Sequence, residues 1–138
     1  MIGLDTNVVI RYLVQDDKKQ SDLATQFIEK TLTVEEPGYI NHVCLCEITW
    51  VLQRCYGVTK PQLQAIIESL LTTKQFLVEN VEVAWKSLRA FNESGAEFSD
   101  ALIGQANVYH GCEFTVTFDK KASSLSGFNL LESKSSKD

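Results

Sequence analysis

The chain has 138 residues, 44% of them hydrophobic, with seven glycines, two prolines and a formal net charge of −5. That length and composition suit one domain with its own core and exclude a disordered chain. The acidic balance excludes binding of nucleic acid through bulk positive charge, so a polyanionic partner would need a local basic patch or cations held by the protein's own acids.

No apolar run approaches the ~20 residues of a membrane span. The opening MIGLDTN has no basic n-region, and an aspartate stands where an apolar h-region would continue, so the expected location is cytoplasmic, away from membranes. Cys44, Cys46, Cys55 and Cys112 form no CxxC pair, and His42 and His110 complete no zinc pattern. All four cysteines read as reduced thiols in the core.

In chain order, a short strand at residues 2–4 ends at Asp5, and helices follow at 8–14 and 21–32, the second with Leu23, Ala24, Phe27, Ile28 and Leu32 in helical register. A strand at Gly38–Ile40 precedes a helix at 43–55 stopped by Gly57. Thr59-Lys60-Pro61 opens a fourth helix with Leu63, Ile66, Ile67, Leu70 and Leu71 as its stripe. A strand at Phe76–Val78, helices at 83–91 and 99–109, and strands at 114–118 and 128–131 complete the pattern. Strands alternating with helices predict an α/β domain over 1–131 with a mainly parallel central sheet. Residues 132–138 (ESKSSKD) read as a frayed polar tail.

In open parallel sheets the working crevice lies at the carboxyl ends of the strands. Asp5 and Asp119 each follow a strand, and Asp100 opens the sixth helix just after Ser99. Each aspartate also has an ordinary explanation as a helix cap, although Ser99 is itself a candidate cap that leaves Asp100 free to point elsewhere. Glu47 lies mid-helix, where no cap is needed. Its face neighbours are Val43, Cys44 and Val51, at the edge of an apolar stripe, and a partly buried carboxylate there is costly unless paired or bound to a cation. The plain alternative is a glutamate that reaches solvent.

Packed together, four carboxylates stay ionised only with a cation between them. All-oxygen ligation suits Mg²⁺ or Mn²⁺, whose usual companion is a phosphate oxygen, and metal-assisted phosphodiester hydrolysis is the chemistry that follows. Arg11, one turn after Asn7, is the candidate substrate contact; Lys120 and Lys121, directly after Asp119, read either as phosphate contacts or as solvated surface charges, the second reading being preferred for Lys121. Trp50, Trp85, Phe27 and Phe91 fall on apolar helical stripes and read as core or dimer interface rather than base-stacking platforms.

The stretches IGLDTNVVIRYLVQDD, CEITWVL around Glu47, FSDALIGQAN around Asp100 and TFDKKA around Asp119 resemble, in order, the PIN-domain family, and within it the VapC toxins of bacterial toxin–antitoxin pairs. The resemblance covers nearly the whole chain. It implies a Rossmann-like three-layer α/β/α fold and a Mg²⁺- or Mn²⁺-dependent endoribonuclease acting on RNA. It carries the acidic metal-binding and catalytic set over to Asp5, Glu47, Asp100 and Asp119, with Thr6, Asn7 and Thr117 as supporting polar groups. It also implies a homodimer held inactive by a cognate antitoxin. Ser99 stands where many relatives have alanine, and Glu97 adds an acid that reads as a solvated loop charge.

The nearest rival is a Mg²⁺-dependent phosphatase of the haloacid dehalogenase type, whose DxD motif is here Asp5-Thr6-Asn7. An inactive binding module on the same scaffold is a second rival, opposed by the presence of all four acids. A nucleotide-binding Rossmann domain is opposed by the lack of a glycine-rich fingerprint after the first strand.

Overall fold

The computed structural model describes residues 1–133, so the expected tail falls largely outside the described residues. The chain forms two compact units, Met1–Val81 and Glu82–Asp138.

The first unit is built on three parallel strands, β1 (Ile2–Gly3), β2 (Gly38–Ile40) and β3 (Phe76–Val78), in the order β1-β2-β3. Ile2 pairs with Gly38, and Gly38 with Phe76. Parallel neighbours require long crossovers, which α1 (Thr6–Val14) and α2 (Lys18–Gln26) supply between β1 and β2. The second crossover is α3 (His42–Tyr56) followed by α4 (Lys60–Thr72).

Capping decides the helix ends. Asp5 caps α1, which starts at Thr6, two residues before the predicted helix. Asp17 accepts from the Gln20 N–H at 3.0 Å and starts α2 at Lys18, three residues ahead of the predicted helix. The last turn of that helix is a π-helical segment, Phe27–Thr31. Gly57 ends α3 in the left-handed region at φ 63°, as its position predicts. Thr59 and Gln62 form a reciprocal capping box on α4.

Val9 and Ile10 of α1, Leu45, Ile48 and Leu52 of α3, and Leu63, Ile67 and Leu70 of α4 are all buried. Leu23 departs from expectation: it is 64% exposed, so the apolar stripe of α2 is narrower than its sequence reads. Of the cysteines only Cys44 is buried; Cys55, in the last turn of α3, and Cys112, in the loop after the sixth helix, are exposed, and none of the four is in a disulfide.

In the second unit, α5 (Val81–Asn92) and α6 (Phe98–Tyr109) lead to β4 (Thr115–Thr117), a 3₁₀ turn at Ala122–Ser124, and β5 (Phe128–Leu130). The two strands pair in parallel with Thr115 opposite Phe128. Phe91 and Phe98 meet edge to face, ring centroids 6.0 Å apart, and with Leu88, Ala101 and Leu102 form the buried interior. The α/β class expected from the sequence is observed, with its parallel strands hydrogen-bonded as one set of three and one of two. Among the described residues, no helix is long and apolar enough to cross a membrane.

Gly104 lets α6 approach β5 closely, because a Cβ there would collide with the Phe128 ring. Alanine normally favours a helix over glycine, yet here the overpacking dominates. Gly104→Ala is expected to destabilise the protein by about 1–3 kcal/mol, read from the denaturant midpoint at unchanged m-value.

Candidate acidic site

The first unit holds one pair of acids joined by a threonine. Asp5 leaves β1 with extended backbone (φ −82°, ψ 154°), and its Oδ1 accepts from the Thr6 N–H at 2.8 Å. Thr6 is 7% exposed, and its hydroxyl donates to Glu47 Oε1 at 2.7 Å. Such a bond to a carboxylate is charge-assisted and fixes the acceptor's direction. Behind it, the Cys44 thiol lies 3.6 Å from Thr6 Oγ1 and donates to the Leu4 carbonyl at 3.6 Å. Burial pushes this thiol up; the Thr6 hydroxyl opposes the rise, and the Glu47 and Asp5 charges add to it. Cys44 is therefore a protonated packing group, and both carboxylates act on it.

Glu47 itself is exposed. The expectation that burial would make its charge costly does not hold, because the buried face of α3 turns toward Cys44, Leu45 and Ile48 instead. What singles Glu47 out is the Thr6 hydroxyl aimed at it. No sequence rule for one helix could show that bond, which spans 41 residues.

The second unit holds the other pair. Ser99 is not the cap of α6: the helix begins at Phe98 with Glu97 in the cap position and no side-chain cap bond. Asp100 thus lies inside the first turn, where the helix dipole favours a negative charge. Its carboxyl is nevertheless pushed up, first by burial, then by the Asp119 charge, then by Glu97. Asp119 follows β4, and its Oδ1 accepts from the Lys121 N–H at 2.8 Å and the Ala122 N–H at 3.4 Å. Thr117 Oγ1 accepts from the Asp119 N–H at 3.0 Å, which sets the turn that carries the acid. Glu97, expected to be a mere solvated charge, is exposed but contributes to the field at Asp100.

Among the described residues, no basic side chain pairs with Asp5, Glu47, Asp100 or Asp119, and no three Asp, Glu, His or Cys side chains form a metal-binding group. The donors come in twos. Pairs of hard oxygen donors, one pair crowded by like charge, fit a Mg²⁺ ion bound through one or two carboxylates and otherwise by water.

Arg11 is committed within the first unit. Its Nε donates to Gln20 Oε1 at 2.8 Å, and its Nη1 donates to Asp16 Oδ1 at 3.1 Å and to the Tyr56 hydroxyl at 3.2 Å. The Tyr56 hydroxyl donates in turn to Asp16 at 2.7 Å, and that bond leads the causes holding the Asp16 carboxyl below its usual range. The guanidinium joins α1, α2 and α3 rather than standing ready for a phosphate. Beside it lies a pocket of about 480 Å³ lined by Asn7, Val8, Leu23, Ala24 and Phe27.

Parallel strands joined by helices, with Asp5 two residues past β1 and Asp119 two residues past β4, define an α/β protein that carries acids at strand ends, where the crevices of open parallel sheets lie. The PIN domain family model matches residues 2–127, and the chain belongs to the PIN-domain family. The match runs through both compact units, and no curated protein matches the chain. Membership supports nuclease activity in general terms.

Proposed function

We propose that the protein is a Mg²⁺- or Mn²⁺-dependent endoribonuclease with Asp5, Glu47, Asp100 and Asp119 as its catalytic and metal-binding acids. The observation that carries this is Asp100, a carboxyl kept in a half-buried position against the charges of Asp119 and Glu97. Crowding of that sort is unfavourable for folding and acquires a purpose when a cation is shared. When bound, such a cation polarises the phosphate and makes water a better nucleophile.

In this reading Asp5, Asp100 and Asp119 supply metal ligands, directly or through water. Glu47, directed by Thr6, assists or receives a proton, and Thr117 keeps Asp119 in place. Asn7, at the start of α1, is a supporting polar group.

The finer identity we propose is a VapC-like toxin: a cytoplasmic homodimer silenced by a cognate antitoxin. The apolar pocket beside Asn7, with Leu23 exposed on its rim, supports capture of an antitoxin's apolar segment. Phe114, Val116 and Phe118 alternate along and beside β4 and are exposed, Phe118 by 81%, which supports a face covered by a second copy.

The test incubates purified protein with mixed structured RNAs, with and without Mg²⁺ or Mn²⁺, beside Asp5→Ala. Cleavage that requires the metal and falls more than about 100-fold in the variant is expected, since even groups behind a metal ligand are worth 10–100-fold. Metal-independent cleavage, or full activity in Asp5→Ala, would sink the proposal. Hydrolysis of a small phosphomonoester with none of RNA would favour a phosphatase.

A further inference from the structure

Helix α3 carries a feature that packing does not explain. Its buried face is complete with Cys44, Leu45, Ile48, Thr49 and Leu52. On the opposite side, Val43, Glu47, Trp50 and Arg54 recur at helical spacing, so they share one stripe, and all four are exposed. Val43 is 70% and Trp50 50% exposed, and the Arg54 guanidinium carbon lies 4.6 Å from the Trp50 ring centroid. Trp50, read from the sequence as core or dimer interface, therefore lies outside the core.

We propose that Trp50 and Arg54 form a binding step for single-stranded RNA beside the reactive phosphate, an inference that rests on the ribonuclease reading above. At ~1.5 Å of rise per residue, Trp50 lies about 4.5 Å and Arg54 about 10.5 Å along the axis from Glu47. That is the reach of the nucleotides flanking a phosphate that reacts beside Glu47. An indole offers a stacking surface that any base can use, and a guanidinium stacked on it adds a planar cation matched to phosphate. The pair thus answers the charge problem of an acidic protein: grip comes from one aromatic and one local cation next to the acids. A second copy covering the same stripe would have to bury the Glu47 charge along with Arg54, which is unfavourable without matched partners.

The experiment measures steady-state cleavage of a fluorogenic single-stranded RNA by the full chain with Mg²⁺, together with size-exclusion elution. Trp50→Leu, which keeps apolar bulk but removes the stacking ring, is expected to raise KM about tenfold with little change in kcat. Trp50→Phe restores most of the wild-type KM. Arg54→Ala raises KM and lowers the slope of log KM against log salt by about 0.7. Wild-type KM in both Trp50→Leu and Arg54→Ala overturns this inference while leaving the ribonuclease reading intact. So does a shift of Trp50→Leu to a smaller species without change in KM, which marks the stripe as a contact between copies. If the wild type shows no metal-dependent RNA cleavage, the ribonuclease reading itself fails, and the strand-binding role with it.

Discussion

Asp100→Asn is expected to lower RNA cleavage by more than about 100-fold and, in metal-free buffer, to raise the melting temperature by a few degrees. The two effects share one cause. Burial, Asp119 and Glu97 all push the Asp100 carboxyl up, so the folded chain holds this proton more tightly than the unfolded chain does. Stability then falls as pH rises from the unfolded to the folded value, and the penalty is complete above that window. Asparagine has no charge to crowd, so the advantage of the variant is widest at neutral pH and closes as pH drops through the carboxylate range. Under the proposed metal dependence, added Mg²⁺ should reverse the order, because the variant lacks one of the carboxylates that would bind it. Melting curves at neutral and acid pH, with and without Mg²⁺, check all of this. A variant no more stable than wild type at neutral pH without metal would contradict the crowding.

Thr6→Val carries the second large effect. Valine keeps the β-branched shape of this nearly buried residue but removes the hydroxyl that donates to Glu47. Glu47 is exposed and will take water instead, so the fold should lose at most about 1 kcal/mol. Cleavage should fall 10–100-fold, roughly the cost of losing a group that orients a metal-site acid. Thr6→Ser should recover most of it. If valine cleaves RNA at the wild-type rate, the hydroxyl directs nothing that matters.

Legibility in the sequence followed the range of the interactions. Asp5 and Asp119 could be read because each stands directly after a β-rich run, and a strand end is visible in a few neighbouring letters. Gly57 and the Thr59–Gln62 box are equally local. The starts of α1 and α2 were misplaced by two and three residues because apolar periodicity was read ahead of the caps at Asp5 and Asp17. Glu47 was singled out for the wrong reason: its distinction is a contact with Thr6 from another helix, not burial. Partners distant in the chain also decide the surroundings of Arg11 and Trp50. One is held by Tyr56, 45 residues away; the other stays out of the core because Leu45, Ile48 and Leu52 already fill its place. The two-unit division was hidden as well, since no linker composition marks residue 81.

Asp5 and Asp119 each spend their Oδ1 on backbone N–H groups, an acceptor that asparagine also possesses. Replacing either acid by its amide therefore leaves the local chain with the bonds it needs while removing the charge. Aspartate and asparagine codons differ by a single transition, so under the proposed ribonuclease function one base change would remove activity while these backbone bonds stay in place. On that reading the silenced product would persist as a folded competitor for the RNA that the active form cleaves.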